Sequence, residues 1–210
     1  MDWSVVWQYR VAILQGFAYT VAISALAIVG SFLLGTILGC LRFARVAFLD
    51  EMIDGYVEIV RNIPVIVKLF FLYYIAGLNA LPSGLLALII HQSGYIADVL
   101  TAGFRSIHPE QAESGYAQGL TRRQILIFAL LPQVARISLP PLTSQFIEVV
   151  KNSAVVMFVG VQELTFETQE ISQSTLRSFE AAAIATALYV TLTLVIAGGM
   201  SRLGRRLNWA

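Results

Sequence analysis

Glu148 and Lys151 stand three residues apart, followed by Asn152 and Ser153, inside the otherwise apolar stretch Leu139 to Val161. At helical spacing the carboxylate and the ammonium share a face and can pair with one another. With the amide and hydroxyl beside them they also offer polar contacts to charged groups of either sign. Lys68 poses the same choice, about eleven residues into another apolar run. A charge at bilayer depth costs roughly 2.5–3.5 kcal/mol on insertion scales, so such a group must face protein or water. Lys68 therefore meets a substrate carboxylate, snorkels, or pairs with Asp98 in the next segment. Glu163 opens a stretch in which Glu163, Glu167, Glu170 and Glu180 oppose only Arg177. That acidic rim suits a cationic substrate or a basic protein surface, and equally a plain solvated face.

Composition decides what must position these groups. Of 210 residues, 57% are hydrophobic and 13% charged, with a mean hydropathy of +0.73. Soluble domains carry about twice that charge, so the chain belongs in a membrane. Charges delimit the spans. Uncharged runs of 31 residues (11–41), 29 residues (69–97) and 21 residues (181–201) stand out. About 20 helical residues cross a hydrocarbon core. The second run is too long for one pass and carries the turn signal Leu81-Pro82-Ser83-Gly84. The expected spans are about 11–41, 57–79, 85–105, 139–161 and 181–202, in one all-α polytopic domain over 1–210. The first run far exceeds a signal-peptide core. Its Gly30, Gly35 and Gly39 fit close helix packing within one subunit, with a dimer face as the alternative.

Five crossings put Arg42, Arg45, Arg105, Arg122, Arg123, Arg136, Arg202, Arg205 and Arg206 on one side, against Arg10 and Arg177. By the positive-inside rule the N-terminus lies outside and the C-terminus inside. No GxxxxGK[ST], HExxH, CxxC or GxSxG occurs, and His91 and His108 are the only histidines. No catalytic residue, metal site or cofactor is expected in this chain. Any ATP hydrolysis belongs to a partner.

The long inside loop, 106–136, carries the clearest local signals. Pro109 suits a first helical position, with Glu110 at the positive dipole end. That helix should run to Gln118 and stop at Gly119. Thr121-Arg122-Arg123-Gln124 is a capping box opening a second helix, which Pro132 should interrupt. Two short helices then meet at a Gly-Leu-Thr elbow.

Glu113-Ser114-Gly115-x3-Gly119-x9-Ala129-x-Leu131-Pro132 resembles the EAA signature of ATP-binding-cassette importer permeases, EAA-x3-G-x9-I-x-LP. Glu113, Gly119, Leu131 and Pro132 match; Ser114, Gly115 and Ala129 depart from it but stay small. Glu58-x2-Arg61-Asn62-x-Pro64, Tyr95-x2-Asp98 and Lys151-Asn152-Ser153 are similar to the polar amino-acid branch of these permeases (histidine, glutamine, glutamate, arginine and opines). Lys68 and Asp98 replace a usual Gln and Glu. The resemblance implies a type I importer permease fold of about five transmembrane helices in the bacterial inner membrane. It implies a second permease subunit, two ATPase subunits that hold the ATP and Mg²⁺, and an external amino-acid-binding protein. Glu113, Ser114, Gly115, Gly119, Leu131 and Pro132 would form the ATPase-coupling loop. Lys68, Glu148, Lys151, Asn152, Ser153 and Glu163 are substrate-pathway candidates. Glu58, Arg61, Asn62, Pro64 and Asp98 are structural or gating polar residues. A secondary transporter or channel without ATPase coupling is the alternative.

Overall fold

A computed structural model describes residues 3–44 and 47–207; Arg45 and Trp209 fall outside them. Every element among the described residues is helical. In chain order they are α1 (Ser4–Gln8), α2 (Arg10–Ala44), α3 (Ala47–Asn62), α4 (Val65–Phe70, widening to a π-turn over Phe71–Ile75) and α5 (Ala80–Arg105). Then come α6 (Pro109–Ala117), α7 (Arg122–Gln124, widening over Ile125–Leu130), α8 (Leu131–Asn152, tightening to a 3₁₀ turn over Ser153–Val159), α9 (Leu164–Thr175) and α10 (Ser178–Leu207).

Four helical stretches are long and apolar enough to cross a membrane: Arg10–Phe43, Ala80–Arg105, Arg122–Val159 and Ser178–Arg206. The direction of the fifth crossing follows from glycine contacts. A Cβ on Gly30 would meet Ile89, on Gly35 Ile96, and on Gly39 Leu100 at 3.0 Å. Both numbers rise together, so α2 and α5 run parallel with their backbones nearly touching. The chain between them must return across the bilayer, and α3 with α4 makes that return. The small residues of α2 thus serve packing within one subunit. Gly103 against Ser138, Gln92 against Gln145 and Gly84 against Val156 show α8 antiparallel to α5.

Several expected boundaries change. The span 57–79 is two pieces, because Pro64 cannot donate a helical hydrogen bond and disfavours helix at Ile63. Leu81-Pro82-Ser83-Gly84 is no turn. Pro82 sits in the first turn of α5, where its missing N–H is not needed. The reversal lies just before, at Gly77, whose φ is +68°. Pro132 does not interrupt its helix either. The wide turn Ile125–Leu130 precedes it and carries the chain through into α8.

Of four apolar clusters among the described residues, two hold the centre of the bundle. Ile23, Ala27, Leu69, Leu88, Val149 and Val156 join α2, α4, α5 and α8 toward one end. Ile96, Leu100, Phe104, Val134, Leu142 and Phe146 join α5 and α8 toward the other, capped by Phe43 stacked on Phe104 with centroids 4.3 Å apart.

Candidate functional site

The elbow between α6 and α7 is built from backbone groups that cap each other. Leu120 N–H donates to Gly115 O at 3.1 Å and Gly119 N–H to Tyr116 O at 2.9 Å, the paired bonds of a Schellman stop. Gly119 takes φ +77°, the left-handed region that favours glycine. Thr121 then opens α7. Its N–H donates to Gln124 Oε1 at 2.8 Å, and its Oγ1 accepts from Gln124 N–H at 3.4 Å. Gln133 Nε2 ties the far side by donating to Gln111 Oε1 at 2.5 Å and to Ala129 O at 2.8 Å.

Glu113, Ser114, Leu131 and Pro132 are exposed, but Gly115 is buried. A Cβ there would lie 2.7 Å from Ile125 Cγ1. Gly115 therefore lets the two elbow helices approach each other, while its neighbour Ser114 is exposed. Sequence reasoning missed the apolar part of this surface. Tyr116, Ile127 and Phe128 are exposed, Phe128 at 74%. Ile127 and Phe128 belong to the run Ile125-Leu126-Ile127-Phe128-Ala129-Leu130-Leu131, which reads as buried helix until the elbow's direction is known. Tyr116 stands next to the Glu113-Ser114-Gly115 triplet and was the findable signal.

A second constellation lies within the bundle. Lys68 does not meet Asp98. Its Nζ donates to Val60 O at 2.7 Å and Ile63 O at 2.5 Å, and lies 3.0 Å from His91 Nδ1. The ammonium thus closes the C-terminal carbonyls of α3 across the Pro64 break, where a cation is favoured by the helix dipole. Gln92 Nε2 donates to Gln145 Oε1 at 2.5 Å, joining α5 to α8. Glu148 stands one turn beyond Gln145, with Lys151 Nζ 3.3 Å from its Oε2. His91 also lies within electrostatic reach of Glu148, so Lys68, His91, Glu148 and Lys151 follow one polar seam, with Gln145 one turn from Glu148. Glu148 and Lys151 are exposed along the shaft of a membrane helix. Such a pair faces water or another protein surface rather than lipid. Asn152 is half-buried beside it, while Ser153 is buried and donates to Val150 O at 2.7 Å.

Asp98 instead gathers two arginines. Arg42 Nη1 donates to Asp98 Oδ1 at 2.6 Å, Arg61 Nη1 pairs with Oδ2, and Arg42 Nη2 pairs with Asp54. Arg61 also lies over the Tyr95 ring, 5.1 Å from its centroid, and its carbonyl accepts from Tyr95 OH at 3.3 Å. Glu58 is exposed, and its carbonyl accepts from Asn62 Nδ2 at 2.8 Å. Two motifs far apart in sequence, around Arg61 and around Asp98, thus meet where α2, α3 and α5 converge.

The acidic rim is smaller than expected. Glu163 and Glu180 are buried. Glu163 Oε1 accepts from Phe166 N–H at 2.9 Å, capping α9, while Oε2 accepts from Tyr189 OH at 2.7 Å and Thr20 Oγ1 at 3.2 Å. Its oxygens are used in fastening α2, α9 and α10 together. Burial pushes its carboxyl up from the ordinary range, opposed by these hydrogen bonds. Burial and the carboxylates of Glu170 and Glu163 push Glu167 up as well.

Comparison with known proteins agrees with this geometry. Residues 31–209 match the family model described as "Binding-protein-dependent transport system inner membrane component". A probable glutamine ABC transporter permease protein of Bacillus subtilis (strain 168), GlnM, is 33% identical over 200 residues, covering 93% of each chain. The glutamine transport system permease protein GlnP of Escherichia coli (strain K12) is 28% identical over 99% of this chain and 98% of its own. A crystal structure of an amino acid ABC transporter with histidines superposes at a TM-score of 0.88, with 27% identity over 98% of this chain and 99% of that one.

Proposed function

The chain belongs to the family of binding-protein-dependent transport system inner membrane components, the permease subunits of ABC importers, and from that premise we propose that its cargo is a polar or charged amino acid. The observation that carries the cargo class is the seam from Lys68 through His91 to the exposed Glu148–Lys151 pair. It supplies both signs of charge along a face that the bilayer could not cover. An amino acid's ammonium and carboxylate need both. A second permease subunit, identical or homologous, supplies the opposite wall of the path. The elbow, with Glu113, Ser114 and the exposed ring of Phe128, seats in a partner ATPase that holds ATP and Mg²⁺. A binding protein delivers cargo at the opposite face. The capped, glycine-hinged pair of short helices suits a rigid lever, which favours ATPase coupling over a secondary transporter.

Orientation is tested by reporter fusions. The arginines at the ends of α2, α5 and α10 gather at one end of the bundle, and the positive-inside rule places that end in the cytoplasm. A periplasmic reporter joined after Gly77 or Ser172 should be active, and one joined after Arg123 inactive. Activity after Arg123 would put the elbow on the wrong side for an ATPase.

Cargo is tested by reconstituting the importer in vesicles and measuring uptake against a panel of acidic, basic and neutral polar amino acids. Lys68→Gln should still fold, since the amide can donate to the carbonyl of Val60 in α3 or of Ile63 just beyond it. If the ammonium also meets a substrate carboxylate, uptake affinity should fall by about 10- to 150-fold, the worth of roughly 1.5–3 kcal/mol for a hydrogen bond to a charged group. An unchanged profile would leave Lys68 as the cap of α3 alone.

A further inference from the structure

The last helix ends in a cationic cuff beside an apolar groove; the polar seam uses neither, and of the coupling-loop residues only Leu131 reaches the groove wall. Arg202 and Arg206 are one helical turn apart on α10, flanking Leu203, with Arg205 adjacent and all three arginines exposed. Arg205 Nη1 donates to Ser201 Oγ at 3.0 Å, holding that guanidinium along the helix. Leu203 also lines a groove of about 510 Å³ between α2, α8 and α10, walled by residues such as Phe32, Leu139 and Met200. Among the lining residues only Thr36 and Cys40 carry a polar side-chain atom. Along α2 the groove reaches from Ile28 to Cys40, about 18 Å at 1.5 Å per residue. One leaflet of a hydrocarbon core is about 15 Å deep.

We propose that this cuff and groove together form a site for one anionic phospholipid, its phosphate on Arg202 and Arg206 and an acyl chain along α2. Charge complementarity singles out that occupant. A peptide or a neutral lipid would satisfy the groove and leave the guanidiniums unused, and a free phosphate would leave the groove empty. The surrounding shaft of α10 is uncovered within this chain, with Leu194 and Val195 each 65% exposed. A phospholipid approaching from the leaflet therefore reaches both parts at once. Clustered basic side chains at the end of a membrane helix each add to affinity for acidic lipid. The site depends on membrane embedding and not on the identity of the cargo.

The test uses the full-length protein, purified with the subunits it assembles with, in phosphatidylcholine nanodiscs titrated with nitroxide-labelled phosphatidylglycerol or phosphatidylcholine. A motionally restricted signal should favour phosphatidylglycerol by roughly 30-fold, the combined effect of two basic groups at the surface. Arg202→Gln with Arg206→Gln should erase that preference, and the corresponding Lys pair should keep most of it. Glycerophosphoglycerol, which has the headgroup without chains, should not compete, and Ala135→Trp in the groove wall should lower restriction of the labelled chain. Equal restriction of the two lipids, no effect of the Gln pair, or competition by the chainless headgroup would overturn the proposal. So would efficient joining of two copies through Cys40 by a short bis-maleimide, since a second copy would then occupy the groove.

Discussion

Gly115→Val should abolish cargo-stimulated ATP hydrolysis while leaving membrane insertion at its normal level. The added Cβ would stand 2.7 Å from Ile125 Cγ1 and 3.0 Å from Ile125 Cδ1, and the two valine methyls add further bulk there. Overpacking of this kind costs about 1–3 kcal/mol. It is relieved most readily by swinging α6 away from the turn that follows α7. Because a displacement near 1 Å can lower rate by about a hundredfold, uptake should fall by two orders of magnitude. Gly119→Val reaches the same end by another route. No atom crowds that position, yet φ +77° costs a side chain about 1–2 kcal/mol. Its loss should be smaller than that of Gly115→Val. Glu113→Lys changes only an exposed charge, so it should spare folding and weaken retention of the ATPase during purification. Measuring abundance, ATPase retention and uptake for all three separates lever geometry from docking charge. Wild-type uptake by Gly115→Val and Glu113→Lys together would remove the elbow from the transport cycle.

Asp98→Asn should destabilise the bundle strongly for a partly exposed charge. The carboxylate serves Arg42 and Arg61 at once, and the Arg42 side chain is only 11% exposed. Removing one partner of a fully buried pair costs about 3–5 kcal/mol, and of an exposed pair about 0–1 kcal/mol. This cluster lies between, at about 2–3 kcal/mol, because Asp98 and Arg61 are 29% and 47% exposed. Asp54 retains Arg42, but Arg61 keeps only its tie to Tyr95. Thermal unfolding of the detergent-solubilised protein should show the loss. Asp98→Glu should restore most of it, and Arg42→Gln in the Asp98→Asn background should cost much less than in the wild type. Simple additivity of those two changes would mean that the pair carries no coupling energy.

The elbow was legible in sequence because each of its devices is local. Pro109 at the helix start, Gly119 at positive φ and the Thr121–Gln124 box act over three or four residues, so residue order alone specifies them. The long apolar helices were legible for a similar reason, since length and lack of charge are properties of a segment. Errors arose where a proline could be read in two ways. Pro82 and Pro132 have the same chemistry as Pro64, but only Pro64 breaks a helix. A first-turn proline and one following a widened turn leave no carbonyl waiting for their missing N–H.

Partnerships between distant charges were not local. Lys68 and Asp98 stood in sequence as isolated charges with a substrate or a neighbour as candidate partner, and Glu163 as one carboxylate of an acidic rim. Packing alone assigned them: the parallel contact of α2 with α5 brings Arg42 to Asp98, the break at Pro64 turns the carbonyls of Val60 and Ile63 toward Lys68, and the crossing of α2, α9 and α10 surrounds Glu163. Sequence by itself determined that the chain is a helical membrane protein with a capped elbow, because segment hydrophobicity and local capping need no neighbours. Tertiary structure decided which charges hold the bundle and which stay open, because a charge in a low-dielectric interior takes whatever counter-group the packing places within reach.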